Sequence, residues 1–195
     1  ACTQLADGFS KIIMKGVDAN DAESTLEAHC DGMTDEEASA LLGIPHGGLS
    51  YWVAVIRECF EEAGVLLARS LENNDVVRFD DEDKIDRFNV ARHAVHDGEL
   101  SLIDLCAQEN LRLVTDNIHY VSHWITPVGE PRRFDTRFFI ARAPEAQEPL
   151  HDDNETIASL WVAPTEALAM HKRGELAMIP PTTSNLKGPF LFLNL

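Results

Sequence analysis

With 195 residues and 45% hydrophobic side chains, the chain is long enough to bury one sizeable core, as expected of a single domain of about 150–200 residues. Its 33 acidic and 16 basic residues leave a formal net charge of -17, a field that repels polyanions and speaks against general binding to duplex nucleic acid. No apolar run approaches the roughly 20 residues of a membrane span, and Ala1 to Ser10 lacks the basic and apolar regions of a secretory leader.

The acidic excess is compatible with simple solubility. It also admits a small phosphorylated ligand, because divalent cations bridge carboxylates to phosphates. The cysteines Cys2, Cys30, Cys59 and Cys106 lie far apart with no C-x-x-C pair, so free thiols are expected rather than a zinc site or disulfides. Cys59 falls among apolar neighbours and reads as a core residue, not a nucleophile.

In chain order, Gly8 to Val17 carries Ile12-Ile13-Met14 and predicts a strand, followed by a polar turn at Asp18 to Asp21. Ala22 to Cys30 and Thr34 to Leu42 have helical composition, the second opened by a capping box of Thr34 and Glu37. Gly43-Ile44-Pro45-His46-Gly47-Gly48 breaks the helix. Ser50 to about Ala63 is the strongest helical segment. Val53, Ile56, Cys59 and Phe60 recur there at helical steps, and Gly64 stands where a left-handed cap is wanted. Val65 to Ala68 reads as a buried strand. From Asp75 to Glu109 the pattern is helical and charged, with Phe88, Val95, Leu102 and Leu105 as anchors. Ile118 to Ile125 and Arg137 to Ala143 predict two strands pairing as a hairpin around a Pro/Gly-rich turn. Ser159 to Val162 predicts another strand, Thr165 caps a helix running to Arg173, and Pro180-Pro181-Thr182 opens a last segment. Strands interspersed with helices imply an α+β or α/β sandwich with a mixed sheet.

The segment that carries chemistry is Arg57-Glu58-Cys59-Phe60-Glu61-Glu62-Ala63-Gly64-Val65. On a helix, Glu58, Glu61 and Glu62 share one stripe. Like charges there are unfavourable, and the C-terminal end of a helix dipole disfavours negative charge. A hard divalent cation with oxygen ligands would account for the arrangement; a solvated acidic face is the alternative. Arg57 can pair with Glu61 one turn on and orient it.

This segment resembles the second half of the Nudix box, Arg-Glu-apolar-x-Glu-Glu-x-Gly-apolar. The resemblance implies an α+β, Nudix-like α/β/α sandwich with a loop–helix–loop catalytic motif. It also implies Mg2+ or Mn2+ bound by Glu58, Glu61 and Glu62, Arg57 as orienting residue, and hydrolysis of a nucleoside diphosphate linked to another moiety. The front half has two registers. A contiguous one puts Gly43 at the family's glycine but Leu49 where the family has Glu. In a split one, Gly16-Val17-Asp18-Ala19-Asn20-Asp21 opens the box and residues 22–49 are an insertion. A split box is similar to a Nudix subgroup that includes peroxisomal coenzyme A diphosphatases, as are Phe60 to Leu67 and Arg133 to Phe139. Coenzyme A or acyl-CoA is the substrate class this implies.

Outside the box, Glu155 is the candidate for a carboxylate that positions water, with Asp152 and Asp153 as neighbours able to do the same work. Arg132, Arg133 and Arg137 flank Phe134. Arg133 and Arg137 suit phosphate contacts and Phe134 suits stacking on a base, with an arginine–aspartate network facing solvent as the alternative. The expected partner is a small phosphorylated substrate, not nucleic acid or membrane, with a homodimer left open. The expected location is cytoplasmic, or peroxisomal in a eukaryote. A catalytically inactive Nudix-fold nucleotide-binding or regulatory module is the alternative function.

Overall fold

The two late strands, the second of them buried continuously from Phe138 to Ala141, build the larger of two sheets. β6 (Ile118–Ile125) and β7 (Asp135–Arg142) pair antiparallel as the expected hairpin, with a bulge between Tyr120 and Ser122. β7 also pairs antiparallel with β2 (Phe9–Ile13), which pairs with β1 (Thr3–Leu5), giving the order β1-β2-β7-β6. The computed structural model describes residues 3–5, 9–13, 26–129, 131–144, 147 and 162–188, the first two stretches as backbone. A smaller, mixed sheet has the order β3-β5-β4, with β3 (Cys30–Asp31) parallel and β4 (Ala68–Ser70) antiparallel to β5 (Leu111–Val114).

The helix expected over 50–63 is α3 (Leu49–Ala63). Trp52, Val53, Ala54, Val55 and Ile56 are all 0% exposed, and a helix apolar around most of its circumference belongs inside a core. Trp52 sets its ring edge-on to Phe139 at 5.0 Å and donates its indole N–H to the Ile118 carbonyl at 2.9 Å, which fixes α3 against the larger sheet. α2 (Asp35–Leu42) opens with the capping box expected of Thr34 and Glu37 and ends at left-handed Gly43. It is packed hard against the start of α3: a Cβ on Gly48 would stand 2.2 Å from the Ser39 nitrogen. α3 has no side-chain cap at Gly48. Asp35 supplies one from a distance, accepting from the Gly47 and Leu49 N–H groups at 2.8 and 2.9 Å. Ahead of α2, the helix expected over 22–30 is, among the described residues, the single turn α1 (Leu26–His29), leading directly into β3.

The region expected to be helical from 75 to 109 is two helices, α4 (Glu82–His96) and α5 (Leu102–Gln108), capped by Asp81 and Ser101. Residues 75–81 precede α4 without helical structure. Phe88, Val95, Leu102 and Leu105 are buried as expected. The strand expected at Val65 to Ala68 begins only at Ala68. Leu66 is buried, but its N–H and carbonyl are taken by the Gln147 side chain at 2.8 and 3.0 Å instead of by a neighbouring strand. Of the strand expected at Ser159 to Val162, only Val162 lies within the described residues.

α6 (Pro164–Arg173) starts one residue before Thr165, with Ala163 as cap and Pro164 in the first turn, where its fixed φ and missing N–H are tolerated. The last segment is a helix, α7 (Pro180–Lys187). Ser122, standing opposite Phe138 in the β6–β7 register, donates to Asn185 of α7 at 2.6 Å. Since Phe138 and Phe139 point to opposite faces, α7 covers the face turned away from α3. Among the described residues, no helix is long and apolar enough to cross a membrane.

Candidate functional site

The last two turns of α3 present Arg57, Glu58, Glu61 and Glu62, and Gly64 ends the helix in the left-handed conformation at φ 67°. Arg57 lies along the stripe. Its Nη1 donates to both carboxylate oxygens of Glu61, at 3.0 and 2.9 Å, and its Nη2 to Oε1 of Glu58 at 3.1 Å. The pairing of Arg57 with Glu61 expected from the four-residue step is therefore present, and the same guanidinium also engages Glu58. Glu58 and Glu62 are 8% and 6% exposed, so the stripe is not a solvated acidic face.

Burial carries an electrostatic consequence. Desolvation pushes the Glu58 carboxyl above its ordinary value; Arg57 opposes this, and Glu62 and Glu61 add to it. Two of the three carboxylates on this stripe, Glu58 and Glu61, share the Arg57 guanidinium. The chemistry of that donor set fits a hard divalent cation, which takes oxygen ligands and offsets the surplus negative charge. Among the described residues, no group of His, Cys, Asp and Glu side chains converges as a ready-made metal cage. Glu58 and Glu61 are turned instead onto Arg57.

Tyr51, Glu58 and Glu62 are spaced by seven and eleven residues and so fall on one face of α3. At the Tyr51 end, the Arg137 guanidinium lies over the Tyr51 ring, 4.6 Å from its centroid, with Nη1 3.4 Å from the Tyr51 hydroxyl and 3.5 Å from Asp135. Asp135 also accepts a contact from the His123 ring. Among the described residues, the Arg137 Nε is buried without a hydrogen-bond partner. Arg137 and Asp135 share a strand face, as alternation requires. Arg133 and Phe134 precede β7: Arg133 donates to the Thr126 carbonyl at 3.0 Å, and Phe134 is 61% exposed at the hairpin's open end. Tyr51 stands two turns before Glu58, about 10 Å along the helix axis. The structure thus brings Arg57, Glu58 and Glu61 into one network and sets Arg137 two turns away. Gly16 to Asp21, Asp152, Asp153 and Glu155 lie outside the described residues.

One residue near the stripe escaped the sequence reading. Arg92 of α4 is 4% exposed and donates its Nε–H to the Glu61 carbonyl at 2.8 Å. The available signal was its spacing: it falls between Phe88 and Val95 on the buried stripe of α4.

Comparison with known proteins bears on the family and the fold. Among curated proteins, the acyl-coenzyme A diphosphatase NUDT19 of Xenopus laevis is 32% identical over 145 residues, 69% of this chain and 38% of that protein. The Gallus gallus protein of the same description is 30% identical over 155 residues, 72% of this chain and 40% of its own length. The Homo sapiens protein is 27% identical over 156 residues, 76% and 41% respectively. The chain thus spans 38% to 41% of the length of these relatives. The crystal structure of a NUDIX hydrolase from Alicyclobacillus acidocaldarius superposes with a TM-score of 0.68 at 20% identity, covering 95% of this chain and 86% of that one, which shows the α+β Nudix fold. A family model described as the NUDT19 Nudix domain matches residues 7–187, from before β2 to the end of α7, and the chain belongs to that family.

Proposed function

We propose that this chain hydrolyses the pyrophosphate bond of a nucleoside diphosphate derivative, coenzyme A or an acyl-CoA, with Mg2+ or Mn2+ held by Glu58, Glu61 and Glu62. The observation that carries this reading is the buried carboxylate stripe of α3, in which Glu58 is pressed toward its protonated form by burial and by its neighbours. A fold selected for stability alone gains nothing from that arrangement. The relatives named acyl-coenzyme A diphosphatase supply the substrate class.

A bound divalent cation supplies charge stabilisation to phosphoryl oxygens and lowers the pKa of water. The chain's own residues do the rest. Arg57 holds the Glu61 carboxylate in one orientation through two hydrogen bonds from the same nitrogen. Arg133 and Arg137 take substrate phosphates and Phe134 stacks on the base, a role supported by the exposure of Phe134 and the unpartnered Nε of Arg137. A ligand touching both Arg137 and the glutamates must span about 10 Å of α3, which fits a diphosphate bearing large groups at both ends better than a lone pyrophosphate. Glu155 is proposed as the carboxylate that positions water, and residues 22–49 as an insertion splitting the box.

The test is turnover of coenzyme A, acyl-CoA and other nucleoside diphosphate derivatives, followed by release of two phosphomonoester products with and without Mg2+ or Mn2+. Metal-dependent cleavage that is lost in Glu61→Gln and Glu62→Gln, with native circular dichroism and a cooperative melt retained in both, is expected. Equal turnover in the variants overturns the assignment. Leu49, a core residue at 1% exposure, occupies the position where a contiguous box has Glu, which favours the second reading of a binding module. Substrate affinity without cleavage would select that one.

A further inference from the structure

α4 buries an apolar stripe against α3. Phe88 meets Phe60 edge-on at 6.5 Å, and Phe88 and Val95 are both buried. Arg92 sits on this same stripe and is as buried as its apolar neighbours. A leucine or methionine would fill such a place without the desolvation penalty of a guanidinium, so a buried arginine here calls for polar contacts that offset the penalty.

That contact is specific. In a continuing helix the Glu61 carbonyl would accept from the N–H of Val65. Here Gly64 turns the chain into the left-handed conformation, and the Val65 N–H goes to the Cys59 carbonyl at 3.3 Å instead. The Glu61 carbonyl therefore loses its helical donor, and Arg92 Nε supplies one at 2.8 Å. Glu61 is consequently gripped twice: its carboxylate by Arg57 from within α3, and its main chain by Arg92 from α4.

We propose that Arg92 is a positioning residue of the metal site, fixing the last turn of α3 so that the Glu61 and Glu62 carboxylates are presented in a single arrangement. This rests on the reading that these glutamates bind a divalent cation. It assigns α4 a part in that site: through Arg92, its packing sets metal affinity.

The experiment compares Arg92→Met with Phe88→Leu, which loosens the same helix contact without touching the Glu61 carbonyl. Two readouts are taken on the metal-free chain: amide hydrogen exchange over residues 61–65, and Mn2+ affinity by calorimetric titration. Arg92→Met is expected to speed exchange in that turn selectively and to weaken Mn2+ binding by about ten-fold or more, as loss of an outer-shell partner does. Phe88→Leu should lower the melting temperature with little change in either readout. Arg92→Lys, which keeps the charge but loses the Nε donor, is the second variant should the methionine form not fold. Equal effects of the Arg92 and Phe88 variants, or unaltered exchange and affinity in both Arg92 variants, overturn the proposal. A wild-type chain that binds no Mn2+ overturns the metal reading itself, and the positioning role of Arg92 with it. Intact wild-type binding with unaffected variants overturns Arg92 alone.

Discussion

Arg57 reaches one helical turn forward and donates to both oxygens of the Glu61 carboxylate from a single nitrogen, at 3.0 and 2.9 Å, while its second terminal nitrogen holds Glu58 at 3.1 Å. All three side chains are about 10% exposed (11%, 10% and 10%), so this is a desolvated network and not a surface ion pair. Arg57→Ala leaves buried carboxylates without their guanidinium, and the unfolding free energy should fall by about 3–5 kcal/mol. Arg57→Lys should recover only a minor part, because an ammonium lacks the planar fork. Urea denaturation measures both. A loss under about 1 kcal/mol for the alanine variant would place the pair in the solvent-screened class.

Glu58 sets up a second prediction through pH. Burial, then the nearby Glu62 and Glu61, outweigh Arg57 and raise its carboxyl above the ordinary 4.5. The folded state therefore holds the Glu58 proton more tightly than the unfolded state. Stability contributed by that proton is present below 4.5 and is lost as pH rises through the raised value. Glu58→Gln should remove this slope and melt higher than the wild type near neutral pH in the presence of a chelator. Adding Mn2+ should reverse the order by stabilising the wild type alone. Thermal melts across pH, with and without metal, decide it; a variant that melts lower than the wild type under chelation contradicts the prediction.

Asp35 has the opposite sign. Burial raises its carboxyl, but the N–H groups of Leu49 and Gly47, the Ser39 hydroxyl and the nearby His46 together bring it below the ordinary 3.8. Its contribution is present above 3.8 and disappears as pH falls through the lowered value. Asp35→Ala removes the only side-chain cap seen at α3 among the described residues and should cost about 1 kcal/mol. Asp35→Asn should flatten the acid limb of the stability–pH curve. Chemical denaturation at a series of acidic pH values reads both effects.

Gln147 is buried and makes three main-chain hydrogen bonds, two with Leu66 and one to the Val77 carbonyl at 2.7 Å. Gln147→Leu leaves those groups without the Gln147 partner and should lower unfolding free energy by about 3 kcal/mol. Gln147→Glu should also destabilise, since a carboxylate accepts from Leu66 N–H but cannot donate to either carbonyl. A urea titration showing either variant as stable as wild type would remove Gln147 from the set of structural anchors.

What was legible in the sequence was local. The capping box at Thr34 and Glu37, the end of α3 at Gly64, the β6–β7 hairpin and the Arg57–Glu61 pair all depend on residues a few positions apart, and the structure contains each of them. What was missed depends on distant partners. Asp35 caps a helix that begins fourteen residues later. Val65 to Leu67 look like a strand, but the main chain of Leu66 bonds to Gln147 and the Val65 N–H to the Cys59 carbonyl. Arg92 reads as one more surface charge until α4 is laid against α3. Tyr51 and Arg137, eighty-six residues apart, meet only through the pairing of Trp52 with the larger sheet. β5 went unseen because Leu111 to Val114 is short and follows directly on helical sequence. Strand β2 was expected, but its pairing partner was not.

That pairing bears on how the chain is made. Phe9 stands opposite Arg142 and Ile13 opposite Phe138, so the inner edge of β2 has no mate until β7 has left the ribosome, on the order of ten seconds later at ordinary elongation speeds. Throughout that interval the strand offers bare main-chain donors and acceptors to any neighbouring nascent chain. Chaperone demand during synthesis follows from this delay rather than from the stability of the finished sheet. Ribosome-bound chains stalled before residue 135 should be cleaved by protease near residues 9–13, and chains stalled well beyond residue 142 should resist.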